Sequence, residues 1–204
     1  MAWYEGELRP GMVRYSFPEP ECYVHETCKL IGQIRIGRFT YVSDHGVISA
    51  LSPVSIGSFC SVAMGFHCAT HEEPPEGLIS GYPFLEVLGI EVPGGGVTGH
   101  AFVPVKLSPR PINIGSDVWI GDHVTVAGGA TIGHGCIIGA KSVVRGSCEA
   151  YGVYAGSPAR LIRKRFTDEK IDQLLALKWW DWTPDEIKAN ARFFDTDLTS
   201  SLAA

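Results

Sequence analysis

The stretch from Ile112 to Cys148 reads INIGSDVWIGDHVTVAGGATIGHGCIIGAKSVVRGSC, and its reading decides the fold. An isoleucine or valine returns every six residues, at Ile114, Ile120, Val126, Ile132, Ile138 and Val144. Four places after each stands a small or β-branched residue: Val118, Val124, Ala130, Cys136, Ser142 and Cys148. Glycine or alanine follows the aliphatic at Gly115, Gly121, Ala127, Gly133 and Gly139. A period of six fits neither the 3.6 of a helix nor the alternation of a strand. It fits a chain that bends every six residues, buries one branched side chain per flat face and sets a small residue near each corner. Such a chain is a solenoid, whose coils stack because none could bury its own apolar side alone.

The same phase is found earlier, at Val24, Leu30, Ile36, Val42, Ile48 and Val54. It slips by two residues near Pro53 and resumes at Ile56, Val62 and Cys68, which predicts a bulge or small loop at a corner between about Ala50 and Ser55. From about residue 71 to 111 the period disappears among seven prolines and the run Gly94-Gly95-Gly96. So long a break in a regular solenoid is an excursion from one corner, and excursions of this length commonly carry function. Its Tyr82, Phe84, Leu85, Leu88 and Phe102 predict an ordered arm that packs on something, a neighbouring subunit being the natural candidate. Two short helices are expected near the C-terminus. The first starts after Thr167, with Asp168 and Glu169 in its first turn. The second is capped by Thr183, with Pro184 at its first position and Glu186 completing a capping box. Trp179, Trp180 and Trp182 lie between them and are expected to pack in a cap on the last coil.

The 204 residues, 45% hydrophobic and 19% charged, describe a globular chain with a sizeable core. A net charge of −5 leaves no electrostatic footprint for nucleic acid. The sequence shows neither a signal-peptide pattern at Met1 nor an apolar run long enough to span a bilayer, so no membrane partner and a cytoplasmic location are expected. The six cysteines form no C-x-x-C pair, and Cys22, Cys28, Cys60, Cys136 and Cys148 keep the phase of the repeat's small positions. They read as free core thiols rather than a zinc or disulfide framework.

Of seven histidines, His25, His45, His123 and His134 sit where repeat side chains point outward and are expected to be solvated. His67 and His71 are four apart, but not on a helix, so they make no helical zinc pair. His71 stands where the regular coils yield to the excursion, a place that suits a general base facing a cleft. A basic cluster, Arg160, Arg163, Lys164 and Arg165, follows the last coil and could meet the phosphates of a long cofactor. No nucleophile elbow or nucleotide-binding glycine loop is present.

Several stretches narrow the reading: Ile36-Gly37-Arg38-Phe39-Thr40-Tyr41, Ile56-Gly57-Ser58-Phe59-Cys60-Ser61, Ser80-Gly81-Tyr82-Pro83-Phe84, Val118-Trp119-Ile120-Gly121, Gly156-Ser157-Pro158-Ala159-Arg160 and Trp179-Trp180-Asp181-Trp182. In this order they resemble the xenobiotic branch of the hexapeptide-repeat acetyltransferases, which includes hexapeptide-type chloramphenicol and streptogramin acetyltransferases. The resemblance implies a mainly β fold, a left-handed parallel β-helix over residues 1–160 with an excursion at about 71–111, and a C-terminal helical cap over 161–204 in the same unit. It further implies a homotrimer with active sites between subunits, acetyl-CoA as acyl donor, no metal, and His71 as general base, with His67 a rival. Ala140, Arg145, Arg160, Arg163 and Trp119 would contact the cofactor, and Tyr41 and Asp44 would lie on the acceptor side. The expected activity is acetyl transfer to a hydroxyl of a small molecule, an antibiotic or a sugar. The alternatives are sugar or nucleotide-sugar N-acylation, a zinc hydratase on the same solenoid, and a non-catalytic scaffold.

Overall fold

A computed structural model of the chain describes residues 22–70, 79–80, 82, 87–90 and 110–196. It divides the chain into two compact units, one of residues 1–70 with 110–204, the other of residues 71–109. The first is a parallel β-helix, triangular in section, with three faces of short strands.

The first face stacks six parallel strands: β1 (Tyr23–Val24), β3 (Tyr41–Val42), β5 (Ser61–Val62), β8 (Trp119–Ile120), β11 (Ile137–Ile138) and β14 (Gly152–Gly156). The long strands β2 (Lys29–Ile36) and β4 (Val47–Ile56) each turn a corner and serve the other two faces. The start of β4 continues the second face through β6 (His67–Ala69), β9 (Thr125–Ala127) and β12 (Val143–Val144). Its end continues the third through β7 (Ile112–Ile114), β10 (Thr131–Ile132) and β13 (Ser147–Cys148). Strand β15 (Ala159–Lys164) then folds back antiparallel on β14.

The inward side chains are those the repeat marks. Val42, Ile48, Val62, Ile120, Val126, Ile138 and Val144 are fully buried. Glycine follows the aliphatic because the next coil's backbone passes there. A Cβ on Gly57 would stand 2.5 Å from the amide nitrogen of Ser116, and one on Gly133 2.6 Å from that of Ala150. The corners hold a feature that the residue types do not announce. The third place after the aliphatic is left-handed at Phe39, His45, Phe59, Asp117, His123, Lys141 and Tyr151, with φ between 55° and 59°. Such a conformation is uncommon for non-glycine residues, and here the stacked corner hydrogen bonds impose it.

Two coils depart from the regular length. Tyr23 pairs with Tyr41, eighteen residues on, but Val47 pairs with His67, twenty on. The extra pair lies between Ala50 and Val54, where the register shifts, as the slip near Pro53 predicts. Near the other end Thr131 pairs with Ser147, only sixteen on. Cys148 therefore does not hold a small corner position after Val144. It fills an inward strand position opposite Ile132, because Gly146 at φ 80° turns the corner early. The other cysteines are free and, Cys22 excepted, buried. The sulfurs of Cys28, Cys60 and Cys136 lie within 2.9–3.1 Å of the Ser43, Gly115 and Glu149 carbonyls, so each small position also satisfies a corner carbonyl.

The C-terminal segment forms α1 (Asp168–Leu177), a 3-10 turn (Trp179–Asp181), α2 (Pro184–Ala189) and α3 (Ala191–Phe194). Thr167 caps α1, and Thr183 with Glu186 makes the expected capping box. The segment does more than meet the last coil. Its contacts run the length of the edge between the third and first faces. Arg165 donates to the Gly135 carbonyl at 2.7 Å and lies 3.6 Å from Asp117. The Trp180 ring stacks on His134 at 4.4 Å, and Trp179 packs on Phe59. Arg38, near the opposite end, donates to the Trp180 and Trp182 carbonyls.

Candidate active site

The outer row of the first face reads Tyr23, Tyr41, Ser61, Trp119, Ile137 and Val153, each the register partner of the next. Tyr41 is 44% exposed and Trp119 46%, with the small Ser61 between them. Val153 pairs with Arg163 on β15, so the row ends in a guanidinium. Neighbouring strands lie about 4.8 Å apart, which makes this a flat apolar wall several strands long with a cation at one end.

The edge between the first and second faces borders that wall. Asp44, Met64, Asp122 and Ala140 stack along it, two places after the aliphatics Val42, Val62, Ile120 and Ile138. Backbone bonds link them: Gly65 to the Asp44 carbonyl at 2.8 Å, His123 to Met64 at 2.8 Å and Lys141 to Asp122 at 2.7 Å. A Cβ on Gly121 would meet the Ala140 amide nitrogen at 2.7 Å, so the corner backbone lies close-packed with Ala140 exposed on top. Ala155 touches Gly139 and pairs with Arg160, which brings that guanidinium to the same edge. Arg160 and Arg163 fold back on the Ala159 and Lys164 carbonyls, whereas Lys164 is tied to Asp168. The Asp44 carboxyl is held below the usual range, chiefly by the Ser43 hydroxyl donating to it at 2.7 Å. Met64 and Asp122 escaped the sequence reading, although their place in the repeat phase is that of Asp44 and Ala140.

The structure thus brings Trp119, Ala140, Arg160 and Arg163 together, with Tyr41 and Asp44 on the same side. Arg145 is not among them. It follows β12 at the corner between the second and third faces, the edge opposite the first face. The two roots of the excursion, Thr70 and Arg110, belong to that edge as well. His71 lies outside the described residues. His67 is exposed on the outer row of the second face, between Val47 and Thr125.

Of the histidines expected to be solvated, His134 is not. Its ring is half-buried under Trp180, and Nδ1 accepts the Ser116 amide at 2.9 Å, with burial lowering its basicity. Burial pushes the Cys60, Cys68 and Cys148 thiols up to about 12 and that of Cys136 to about 11, which disfavours these four as nucleophiles. Among the described residues no group of three or more His, Cys, Asp or Glu could hold a metal ion. No described helix is long and apolar enough to cross a membrane.

Stacked six-residue turns with an exposed wall define a hexapeptide-repeat solenoid, and the family described as bacterial transferase hexapeptide (six repeats) matches residues 111–146. The chain is 37% identical over 172 residues to a chloramphenicol acetyltransferase of Klebsiella aerogenes, covering 76% of this chain and 79% of the relative. It is 39% identical over 150 residues to a probable macrolide acetyltransferase of Lysinibacillus sphaericus, covering 70% and 77%. A crystal structure of a hexapeptide-repeat-containing acetyltransferase of Vibrio cholerae matches with a TM-score of 0.51 and 26% identity, over 70% of this chain and 69% of that one. The chain belongs to the hexapeptide-repeat acetyltransferases, in their xenobiotic acetyltransferase branch. It is an acetyltransferase.

Proposed function

We propose that this acetyltransferase moves an acetyl group from acetyl-CoA to a hydroxyl of a small molecule, with His71 as the general base and with sites formed between copies of a homotrimer. The observation that carries the reading is the wall of the first face, apolar along Tyr41, Trp119, Ile137 and Val153 and ending in Arg163 beside Arg160. A long ligand with an apolar arm and phosphates at one end fits such a surface. Trp119 and the exposed backbone at Ala140 hold its arm, while Arg160 and Arg163 turn from their carbonyls to its phosphates.

Acetyl-CoA supplies the activated acyl carbon. His71 accepts the proton of the acceptor hydroxyl as that oxygen attacks, and returns it to the departing thiolate sulfur. No acyl-enzyme is required, in keeping with thiols that stay protonated at neutral pH. Tyr41 and Asp44, on the donor wall's own side, contact the acceptor.

The geometry also argues for more than one copy. His71 is bonded to Thr70, which roots on the edge opposite the first face. Six residues per side at about 3.3 Å each set that edge on the order of 15 Å from the wall, across packed core. A base carried by the residue after Thr70 would then serve the wall of a second copy rather than its own. Arg145, on the same far edge, then joins a neighbour's cofactor site. Tyr82 and Leu88, left 62% and 67% exposed in the single chain, suit a surface that a neighbour covers.

The relatives named for chloramphenicol and macrolides favour a hydroxylated antibiotic as acceptor, with a saccharide second, and a cytoplasmic enzyme suits either. Release of free CoA, followed with chloramphenicol, a macrolide, a streptogramin and simple sugars, tests the reading. One of these is expected to turn over, with His71→Ala removing the turnover and light scattering giving a trimer mass. Undiminished turnover by His71→Ala would overturn the assignment of the base.

A further inference from the structure

The two-residue slip at the second coil has a place in the structure that the repeat alone does not explain. The added residues put Ser52 at the corner from which the excursion leaves and to which it returns. The Ser52 amide donates to the Thr70 hydroxyl at 2.8 Å, and that hydroxyl donates to the Ser52 carbonyl at 3.4 Å. The Ser52 hydroxyl accepts the Arg110 amide at 3.1 Å. Thr70 is itself buried, and its amide donates to the Ser49 carbonyl at 3.0 Å. On the next coil, a Cβ at Gly128 would stand 3.3 Å from both the Thr70 Cα and the Arg110 Cβ. The glycine lets the two roots sit side by side, and Gly129 donates to the Arg110 carbonyl at 3.0 Å. Gly32 makes room on the other side: at φ 94° it lies where a Cβ would stand 2.0 Å from the Ala50 carbonyl oxygen.

We propose that Thr70, clasped by Ser52, is a positioning residue that sets the direction in which the chain leaves the solenoid into His71, and that the two-residue insertion exists to provide this clasp. The inference rests on the reading of His71 as the general base. A hydrogen-bonded, buried Thr70 fixes the point and direction at which the next peptide bond begins, and so limits where the following side chain can reach. Placement errors of about 1 Å at a reacting group cost on the order of a hundredfold in rate.

The test uses the full-length chain with the acceptor that turns over fastest in the CoA-release screen. Thr70→Val keeps the shape and removes the hydroxyl. It is expected to lower kcat roughly 10- to 100-fold while KM for acetyl-CoA stays within about twofold. Thr70→Ser restores the hydroxyl and is expected to restore most of kcat. Ser52→Ala, which breaks only the tie to Arg110, is expected to lose less than Thr70→Val. A Thr70→Val enzyme with unchanged kcat beside an inactive His71→Ala would overturn the clasp while leaving the base assignment standing. Equal losses in kcat and in affinity for acetyl-CoA, without rescue by serine, would overturn it too, marking Thr70 as a residue of the fold only. An active His71→Ala would remove the base assignment itself and the clasp's role with it.

Discussion

Asp117 offers a direct test of which force governs the edge under the C-terminal segment. Its carboxyl sits at a left-handed corner, 3.6 Å from Arg165, with 28% of the side chain exposed. Two effects oppose each other there. Burial disfavours the charge, and Arg165 favours it; burial prevails, pushing the carboxyl up from 3.8 to about 6. A folded-state value above the unfolded one means that the native protein binds the proton more tightly. The stability this provides is complete below about pH 4 and is lost as pH rises through about 6. At one pKa unit per 1.36 kcal/mol the loss approaches 3 kcal/mol, and the partial exposure of the side chain reduces it to about 1–2 kcal/mol. Asp117→Asn removes the titration, and asparagine tolerates the left-handed corner well. Urea unfolding of both proteins from pH 4.5 to pH 7.5 isolates the effect from every other carboxylate. The variant is expected to gain about 1–2 kcal/mol on the wild type across that range. A difference that is flat, or that moves the other way, would show that the Arg165 pair outweighs burial, and the account of this corner would fail.

Two further outcomes follow from the packing. Trp180→Ala removes a buried ring stacked on half-buried His134, and is expected to cost about 3–5 kcal/mol in the same assay; a loss below about 1 kcal/mol would mean that the segment rests on the edge without being part of its core. A thiol reagent at pH 8 is expected to modify Cys22 first and the other five only as fast as the chain unfolds, since burial and raised thiol values protect them. Rapid native-state modification of a second thiol would contradict the placement of the cysteines in the core.

Much of the solenoid is legible because its cause is local and repeated. The inward aliphatics recur at six-residue steps on either side of the slip near Pro53 and of the excursion, and Cys28, Cys60 and Cys136 keep the phase of the small positions. The helix caps at Thr167 and Thr183 are equally local, residing in the hydrogen-bonding reach of a few adjacent side chains. What stays hidden depends on the neighbouring coil. Phenylalanine, histidine and lysine at φ near 57° contradict their own preferences, and only the stacked backbone of the next turn holds them there. His134 looks like an outward repeat position until a tryptophan 46 places later closes over it. The candidate site divides along the same line. Trp119, Ala140, Arg160 and Arg163 converge because register fixes them, and the same register sets Arg145 on the far edge, since it follows Val144 as Ala127 follows Val126. The signal lies in the count of faces: every third six-residue step returns to the same face, so Val144 shares the face of Val126 and not that of Ile138.

The departures from regularity are therefore more informative than the repeat. In a stacked coil every residue added or removed must be absorbed by its neighbours, and selection for stability alone would erase such changes. The insertion at Ser52 leaves Ile31 and Leu51 59% and 66% exposed and obliges Gly32 to adopt φ 94°. Those are unfavourable features, of the kind expected where function constrains a fold. The shortening at Arg145–Gly146 affects the same edge, three coils further along. Both irregularities thus fall on the edge where the excursion is rooted, and the wall opposite keeps its regular phase. The proposed groove between copies would account for that division: one partner would contribute a flat, regular surface for a long donor, and the other the irregular edge from which the chain leaves into His71.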